Sequence, residues 1–278
     1  MKKRLLSIVL VVALALSLCG CTSTGRGPAL TIQFIDVGQG DCALIECEGH
    51  YMLIDGGDKA HEDKLCSLLV DQGIYELDYL VISHLHADHY GGLTKALTYV
   101  RKIGKTLSNA DFVDKKEFRD LEHQLYESGS KISIPREGDT FKLGSAEIEI
   151  VDASAAEDND SLVLLITFGK TRFLFTGDIG ENAQRRVFQK YRNDEDKPYK
   201  IDLIKMPHHG AEVLILFVET FMPTYAVISV GQGNIYRHPK QTTLDMLDQA
   251  DVRVYRTDQN GDITVRSDGK TLSFETSK

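Results

Sequence analysis

Two histidines, an aspartate and a third histidine fall within six residues at His84-Leu85-His86-Ala87-Asp88-His89, directly after the apolar run Leu77-Asp78-Tyr79-Leu80-Val81-Ile82-Ser83. Imidazole and carboxylate are the groups that hold a borderline-soft divalent ion. His84 and His86 are two apart, so both can point to one side at the end of a strand. Asp88 and His89 can then face a second ion from the loop beyond. Folding alone does not call for four such groups in succession, and the stretch is read as a metal site. Further candidates also sit just after apolar runs: Asp55 after Tyr51-Met52-Leu53-Ile54, Asp178 after a strand and Thr176-Gly177, and His208-His209 after 201–206.

The elements that must position these groups can be read from periodicity and turn residues. Strands are predicted over 30–36, 42–47, 51–54 and 77–83, with helices over 62–72 and 93–100. The stretch 101–140 is less regular, with a helix over 115–128 and a short strand over 131–134. Hairpins follow over 141–151 and over 162–175, the second turning at Gly169-Lys170. A helix over 181–191, a polar linker over 193–200 and strands over 201–206 and 225–230 come next, with a helix over 213–221 between the two strands. A helix over 241–249 and short strands over 252–255, 263–266 and 271–274 close the chain. Two sheets with converging ends and helices outside, an αββα sandwich of the α/β class, would bring the candidates together.

The 278 residues are 42% hydrophobic and 26% charged, enough for one large core. Lys2, Lys3 and Arg4 precede the apolar run Leu5 to Leu18, which is shorter than a bilayer-spanning helix and has the form of a signal h-region. Leu18-Cys19-Gly20-Cys21 resembles a bacterial lipoprotein signal with Cys21 as the lipidated residue. The expected organisation is therefore a signal peptide over 1–20, a flexible tether over 21–29 and one domain over 30–278, outside the cytoplasmic membrane and anchored to it by lipid. Cys42, Cys47 and Cys66 have no disulfide spacing and are read as small core residues. Without the three basic residues of the leader, 29 Lys and Arg face 41 Asp and Glu, a net charge of −12. No basic stripe is present, which counts against tight nucleic-acid binding but not against transient cleavage at a metal.

His84-x-His86-x-Asp88-His89, with Asp55, Asp178 and a later histidine, resembles the ligand pattern of the metallo-β-lactamase fold across nearly the whole mature chain. Phe34-Ile35-Asp36-Val37-Gly38-Gln39-Gly40-Asp41, Leu53-Ile54-Asp55-Gly56-Gly57, Ser161-Leu162-Val163-Leu164, Thr176-Gly177-Asp178 and His208-His209-Gly210 are similar, more narrowly, to the metallohydrolase domain of the ComEC competence proteins. The resemblance implies two divalent ions, Zn or Mn. His84 and His86 would hold one, Asp88 and His89 the other, Asp178 would bridge, and either His208 or His209 would complete the second. Asp55, with Asp36 and Gln39, would support the ligands from behind. The histidine that many members carry ahead of the bridging aspartate is missing. Its position falls near Asn159-Asp160-Ser161, with Asn159 and Ser161 as substrate contacts, and this implies a first metal with fewer imidazoles that tolerates Mn²⁺. His123 is read as a surface helix residue.

The function so implied is hydrolysis of a phosphodiester by a metal-bridging hydroxide, with single-stranded DNA among the substrates. Asp88, Asp178, Tyr236 and His238 are the expected catalytic residues, and Arg237 the contact to an anionic substrate. Two departures pull elsewhere: Ala211 stands where the family usually has serine, followed by Val213-Leu214-Ile215-Leu216, and Arg237 interrupts the family's Tyr-Gly-His-Pro. They leave open a cell-envelope esterase acting on phosphocholine-bearing polymers or carboxylic esters. A binding lipoprotein with a structural metal is the remaining alternative.

Overall fold

The structure, a computed structural model, describes residues 29–192 and 200–278. The leader over 1–20, Cys21, the tether up to Pro28 and the linker residues 193–199 lie outside the described residues.

Strands β1 (Leu30–Phe34), β2 (Ala43–Cys47), β3 (His50–Ile54), β4 (Glu76–Ile82), β5 (Lys102–Ser108) and β6 (Ile132–Ser133) build the first sheet from the N-terminal side. Strands β7 (Thr140–Leu143), β8 (Ala146–Asp152), β9 (Val163–Phe168), β10 (Thr171–Phe175), β11 (Leu203–Lys205), β12 (Tyr225–Ile228) and β13 (Arg253–Arg256) build the second. The last pair, β14 (Ile263–Ser267) and β15 (Leu272–Thr276), returns to the first sheet, β14 antiparallel to β1. The first sheet thus draws on both ends of the described chain.

Alternation along β1, β2, β8, β9 and β10 turns one row of apolar side chains inward, and these rows interleave as the inter-sheet core around Ile32, Phe34, Ile45, Ile148, Leu164 and Phe173. Phe34 stacks on Phe175 across the gap at 5.6 Å. The outer face of the first sheet is covered by α1 (Glu62–Asp71), α2 (Ala87–Tyr90), α3 (Leu93–Ala96) and α4 (Lys116–Glu127), through Leu65, Leu69, Tyr90, Leu93, Phe118 and Leu121. On the second sheet α5 (Glu181–Arg192), α6 (Ile215–Phe221) and α7 (Gln241–Gln249) play that part through Val187, Phe188, Phe217, Phe221 and Leu247. A single turn, α8 (Thr257–Asn260), follows β13. The result is the expected αββα sandwich.

Strands β3, β4 and β5 run parallel, as do β10, β11, β12 and β13. The carboxyl ends of β3, β4, β10 and β11 lead directly into Asp55, His84, Asp178 and the His208-His209 pair. Ligands collect at such ends because the loops leaving parallel strands converge there.

Three sequence expectations shift. β5 falls in the stretch left irregular, since Lys102, Gly104 and Lys105 break its apolar pattern, yet it pairs with β4 from Glu76 to Ile82. Gly104 is required there because a Cβ would press on the Asp78 carbonyl. The helix expected over 93–100 stops as a regular helix at Ala96. Of the apolar stretch Val213-Leu214-Ile215-Leu216 that left an esterase reading open, Val213 and Leu214 pack against the core under the second sheet, leaving Ile215 and Leu216 exposed. Cys42, Cys47 and Cys66 are buried free thiols. Among the described residues no helix is long and apolar enough to cross a membrane.

Candidate metal centre

The loop after β1 turns back at Gly40, whose φ of 136° only glycine holds easily and whose missing Cβ lets the Asp88 carbonyl approach. This delivers Asp41, whose N–H donates to the Asp88 carbonyl at 3.2 Å. Asp55 follows β3 with φ 58°, a left-handed position that aspartate tolerates better than most residues. Its Oδ1 accepts the Ser83 N–H at 2.7 Å; its Oδ2 accepts the Ser83 hydroxyl at 2.7 Å and lies 2.9 Å from His89 Nδ1.

β4 ends at Ile82, so His84 and His86 stand beyond the strand, their rings 4.4 Å apart and edge-on. Asp88 and His89, expected in a loop, lie on the single turn α2. A helical turn sets i and i+1 about 100° apart, which lets the two side chains approach the same point from different directions. From the second sheet, Gly177 turns the chain after β10 and Asp178 takes its place with its N–H donating to Ser161 Oγ at 3.0 Å. His208 and His209 are both left-handed, φ 48° and 54°, a costly pair that packing must hold. The His208 N–H to the Gly177 carbonyl and the Ala211 N–H to the His208 carbonyl fix that turn.

Donor atoms of Asp88, His89, Asp178 and His209 all lie within 4.8 Å of one another. Asp178 Oδ2 is 3.2 Å from His89 Nε2 and 3.2 Å from His209 Nε2, and Asp88 Oδ2 is 3.4 Å from His209 Nε2 and 3.9 Å from His89 Nε2. Two ligand atoms about 2.1 Å from one ion at a tetrahedral angle are about 3.4 Å apart, so this set fits a divalent ion. His84 Nε2, buried and without a hydrogen-bond partner, is a further orphaned donor beside it, its ring 4.1 Å from that of His89. His208 stays outside the four-donor group and packs edge-on against His238 at 5.5 Å.

Two residues that sequence reasoning passed over sit under the group. Lys205, 3% exposed, forms an ion pair with Asp41, donates to the Gly177 carbonyl at 2.9 Å and lies 3.6 Å from Asp178 Oδ1. Asp41 Oδ1 is also 3.5 Å from His209 Nδ1. A cation inside an otherwise apolar, doubly covered strand was the available signal. Asp36, expected as a supporting carboxylate, instead joins the two ends of the domain: its Oδ2 meets Lys278 Nζ at 2.9 Å and its N–H donates to Asp262. Gln39 braces the Gly231 N–H at 3.3 Å. Neither touches the four donors; Asp41 holds that place.

The electrostatics follow from burial and pairing. Burial opposes a charge on His89 and on His209, yet Asp178 beside both raises their pKa well above the ordinary imidazole value. Burial opposes the charge on Asp178 too, and the two imidazoles overcome it and hold its carboxyl well below the usual range. Burial pushes His84 well down, helped by His89. Desolvation of Lys205 is outweighed by Asp41 and Asp178, which keep it charged. Burial, with His208 and His209 nearby, lowers His238 to about 4.

Tyr236 is exposed with its ring over His238 at 5.8 Å, and Arg237 is exposed with φ 57°. Asn234 clamps His238 by accepting its N–H at 2.9 Å and donating to its carbonyl at 2.7 Å. Asn159 contributes its carbonyl to Ser161 Oγ at 3.1 Å, and Ser161 Oγ lies 3.3 Å from His84 Nδ1. Ser161 is buried behind the centre rather than open to a substrate. His123 is on the exposed face of α4.

Comparison with known proteins agrees with the geometry. The chain is 28% identical over 267 residues to ComE operon protein 3 of Bacillus subtilis, covering 87% of this chain and 34% of that protein. It is 26% identical over 233 residues to competence protein ComA of Neisseria gonorrhoeae, covering 81% of this chain and 30% of the relative. The chain thus spans about a third of the length of these relatives. Among solved structures, the metallo-β-lactamase fold protein YhfI from Bacillus subtilis superposes with a TM-score of 0.57 at 12% identity, covering 90% of this chain and all of that one. The family model described as the metallo-beta-lactamase superfamily matches residues 35–218, well over half of the sequence, and the chain belongs to that superfamily.

Proposed function

We propose that this protein is a binuclear metal-dependent phosphodiesterase. The observation that carries this reading is the convergence of Asp88, His89, Asp178 and His209, with His84 Nε2 orphaned beside them. His84, His86 and Asp178 would hold one ion; Asp88, His89, His209 and Asp178 the other; Zn and Mn suit this mixed imidazole and carboxylate set. When bound, paired ions acidify water and polarise a phosphoryl oxygen.

The protein's own groups set the charge. Asp41, Asp55, Asp88 and Asp178 against Lys205 leave the pocket at −3 with neutral histidines. Two divalent ions bring it to +1, which favours an anionic substrate group. Asp55 keeps His89 in the tautomer that frees Nε2, and the Ser229 carbonyl, 2.9 Å from His209 Nδ1, does the same for His209. His238, neutral at physiological pH, offers the departing oxygen a hydrogen bond, with Tyr236 and Arg237 exposed beside it to meet the rest of the substrate. Relatives named as competence proteins support single-stranded DNA as a candidate. Cys21 is proposed as the lipid anchor, with the domain outside the cytoplasmic membrane.

The test is metal analysis of the purified protein, then turnover of bis-p-nitrophenyl phosphate, single-stranded DNA and choline esters with Mn²⁺ or Zn²⁺. Phosphodiester cleavage lost in Asp178→Ala, with the fold retained, is the expected result. Unchanged turnover in that variant rules the site out, and cleavage of choline esters alone replaces the reading with an envelope esterase.

A further inference from the structure

The imidazoles of the centre share one arrangement: one nitrogen is held by the protein and the other is left free. His84 Nδ1 faces Ser83 Oγ at 3.2 Å and Ser161 Oγ at 3.3 Å, leaving Nε2 without a partner. His89 Nδ1 is held by Asp55 and His209 Nδ1 by the Ser229 carbonyl, and again Nε2 is left toward the carboxylates. His86 is reversed. Its Nε2 lies 3.3 Å from Asp158 Oδ1, and Nδ1 has no hydrogen-bond partner among the described residues.

We propose that Asp158 is the positioning carboxylate of His86, fixing the ring so that Nδ1 is presented to the first metal. This rests on the metal reading above. A ligand histidine needs its second nitrogen anchored to set tautomer and orientation. Asp158 takes Nε2, so the nitrogen left for an ion is Nδ1 and the carboxylate sits on the opposite edge of the ring.

The loop is built to deliver that carboxylate. Asp160, 2% exposed, closes it: its Oδ2 accepts the Ser154 hydroxyl at 2.7 Å and the N–H groups of Ala156 and Glu157 at 3.0 and 3.2 Å. Its Oδ1 accepts Arg186 Nη2 at 2.8 Å, and Asn109 donates to the Ser154 carbonyl at 3.0 Å. Asn182 adds a bond to Glu157 Oε1 at 2.7 Å. Asp158 stands on the crest of this pinned turn, its side chain 91% exposed. The segment where the family's extra histidine is missing therefore supports the two histidines that remain, Asp158 from outside and Ser161 from below.

Asp158→Ala and Asp158→Asn in the full chain test this by Mn²⁺ titration calorimetry and metal analysis after desalting. An exposed ion pair contributes little to folding, so both variants should melt with the wild type. The wild type should bind two equivalents. The variants should keep one and bind the other roughly 10- to 100-fold more weakly, the range for losing such a partner, with turnover recovered at high Mn²⁺. Arg186→Ala, which unhooks the loop, should give a smaller loss of the same equivalent. A two-equivalent isotherm unchanged in Asp158→Ala, or loss of both equivalents, overturns the assignment. A wild type that binds two metals yet cleaves no phosphodiester overturns the proposed activity and leaves this assignment standing.

Discussion

Replacing Lys205 with Met gives the sharpest test of how the centre is held together. The ammonium is 3% exposed, pairs with Asp41 and lies 3.6 Å from Asp178 Oδ1. At an effective dielectric constant of ~20 one such contact amounts to about 5 kcal/mol before desolvation. Deleting one member of a buried pair leaves its partner charged and unpaired, at a net cost of about 3–5 kcal/mol. In a domain of this size that is a fall in melting temperature of roughly 6–20 °C. The measurement is thermal and urea unfolding of EDTA-treated wild type, Lys205→Met and the double variant Asp41→Asn/Lys205→Met. The double variant removes one of the carboxylates left unpaired and should recover part of the loss. Adding Mn²⁺ or Zn²⁺ should narrow the gap further, because a bound ion neutralises Asp178. A metal-free Lys205→Met protein melting within about 2 °C of wild type would refute the reasoning.

Asp55→Asn keeps the left-handed backbone comfortable but turns one acceptor of three hydrogen bonds into a donor. Metal affinity should fall about 10- to 100-fold, read by titration calorimetry; unchanged affinity would remove Asp55 from the site. In metal-free protein His89 and His209 titrate well above the ordinary imidazole value because of Asp178, against the opposing effect of burial. Their contribution to stability is complete below about pH 6.5 and is lost as pH rises through the raised folded values. Metal-free protein should therefore lose stability on the alkaline side more steeply than the loaded form, seen in urea unfolding from pH 6 to 9. Metal uptake should for the same reason release protons, and a calorimetric heat that does not vary with buffer ionisation enthalpy would contradict this.

How much of this was legible in the sequence depended on whether a residue's partner lay nearby in the chain. The motif from His84 to His89, Asp178 and the His208-His209 pair could be singled out because ligand chemistry at strand ends is visible locally. Choosing between His208 and His209 required the left-handed turn that aims His209 inward, and no spacing encodes that. Asp36 and Asp41 flank the same glycine turn, and the sequence reading gave the supporting role to Asp36 and passed over Asp41. Selection between them came from contacts far away in the chain: Asp262 and Lys278 engage Asp36, while Lys205 on the opposite sheet engages Asp41. Lys205 was readable in principle, as the one charge in Leu203-Ile204-Lys205-Met206, yet its role depends on both sheets closing around it. β5 was hidden for a related reason: its pairing with β4 supplies the stability that its lysines and glycine withhold. What local pattern left undetermined is therefore the layer behind the donors, where groups from the two sheets meet. That layer is where substitutions should separate metal affinity from folding.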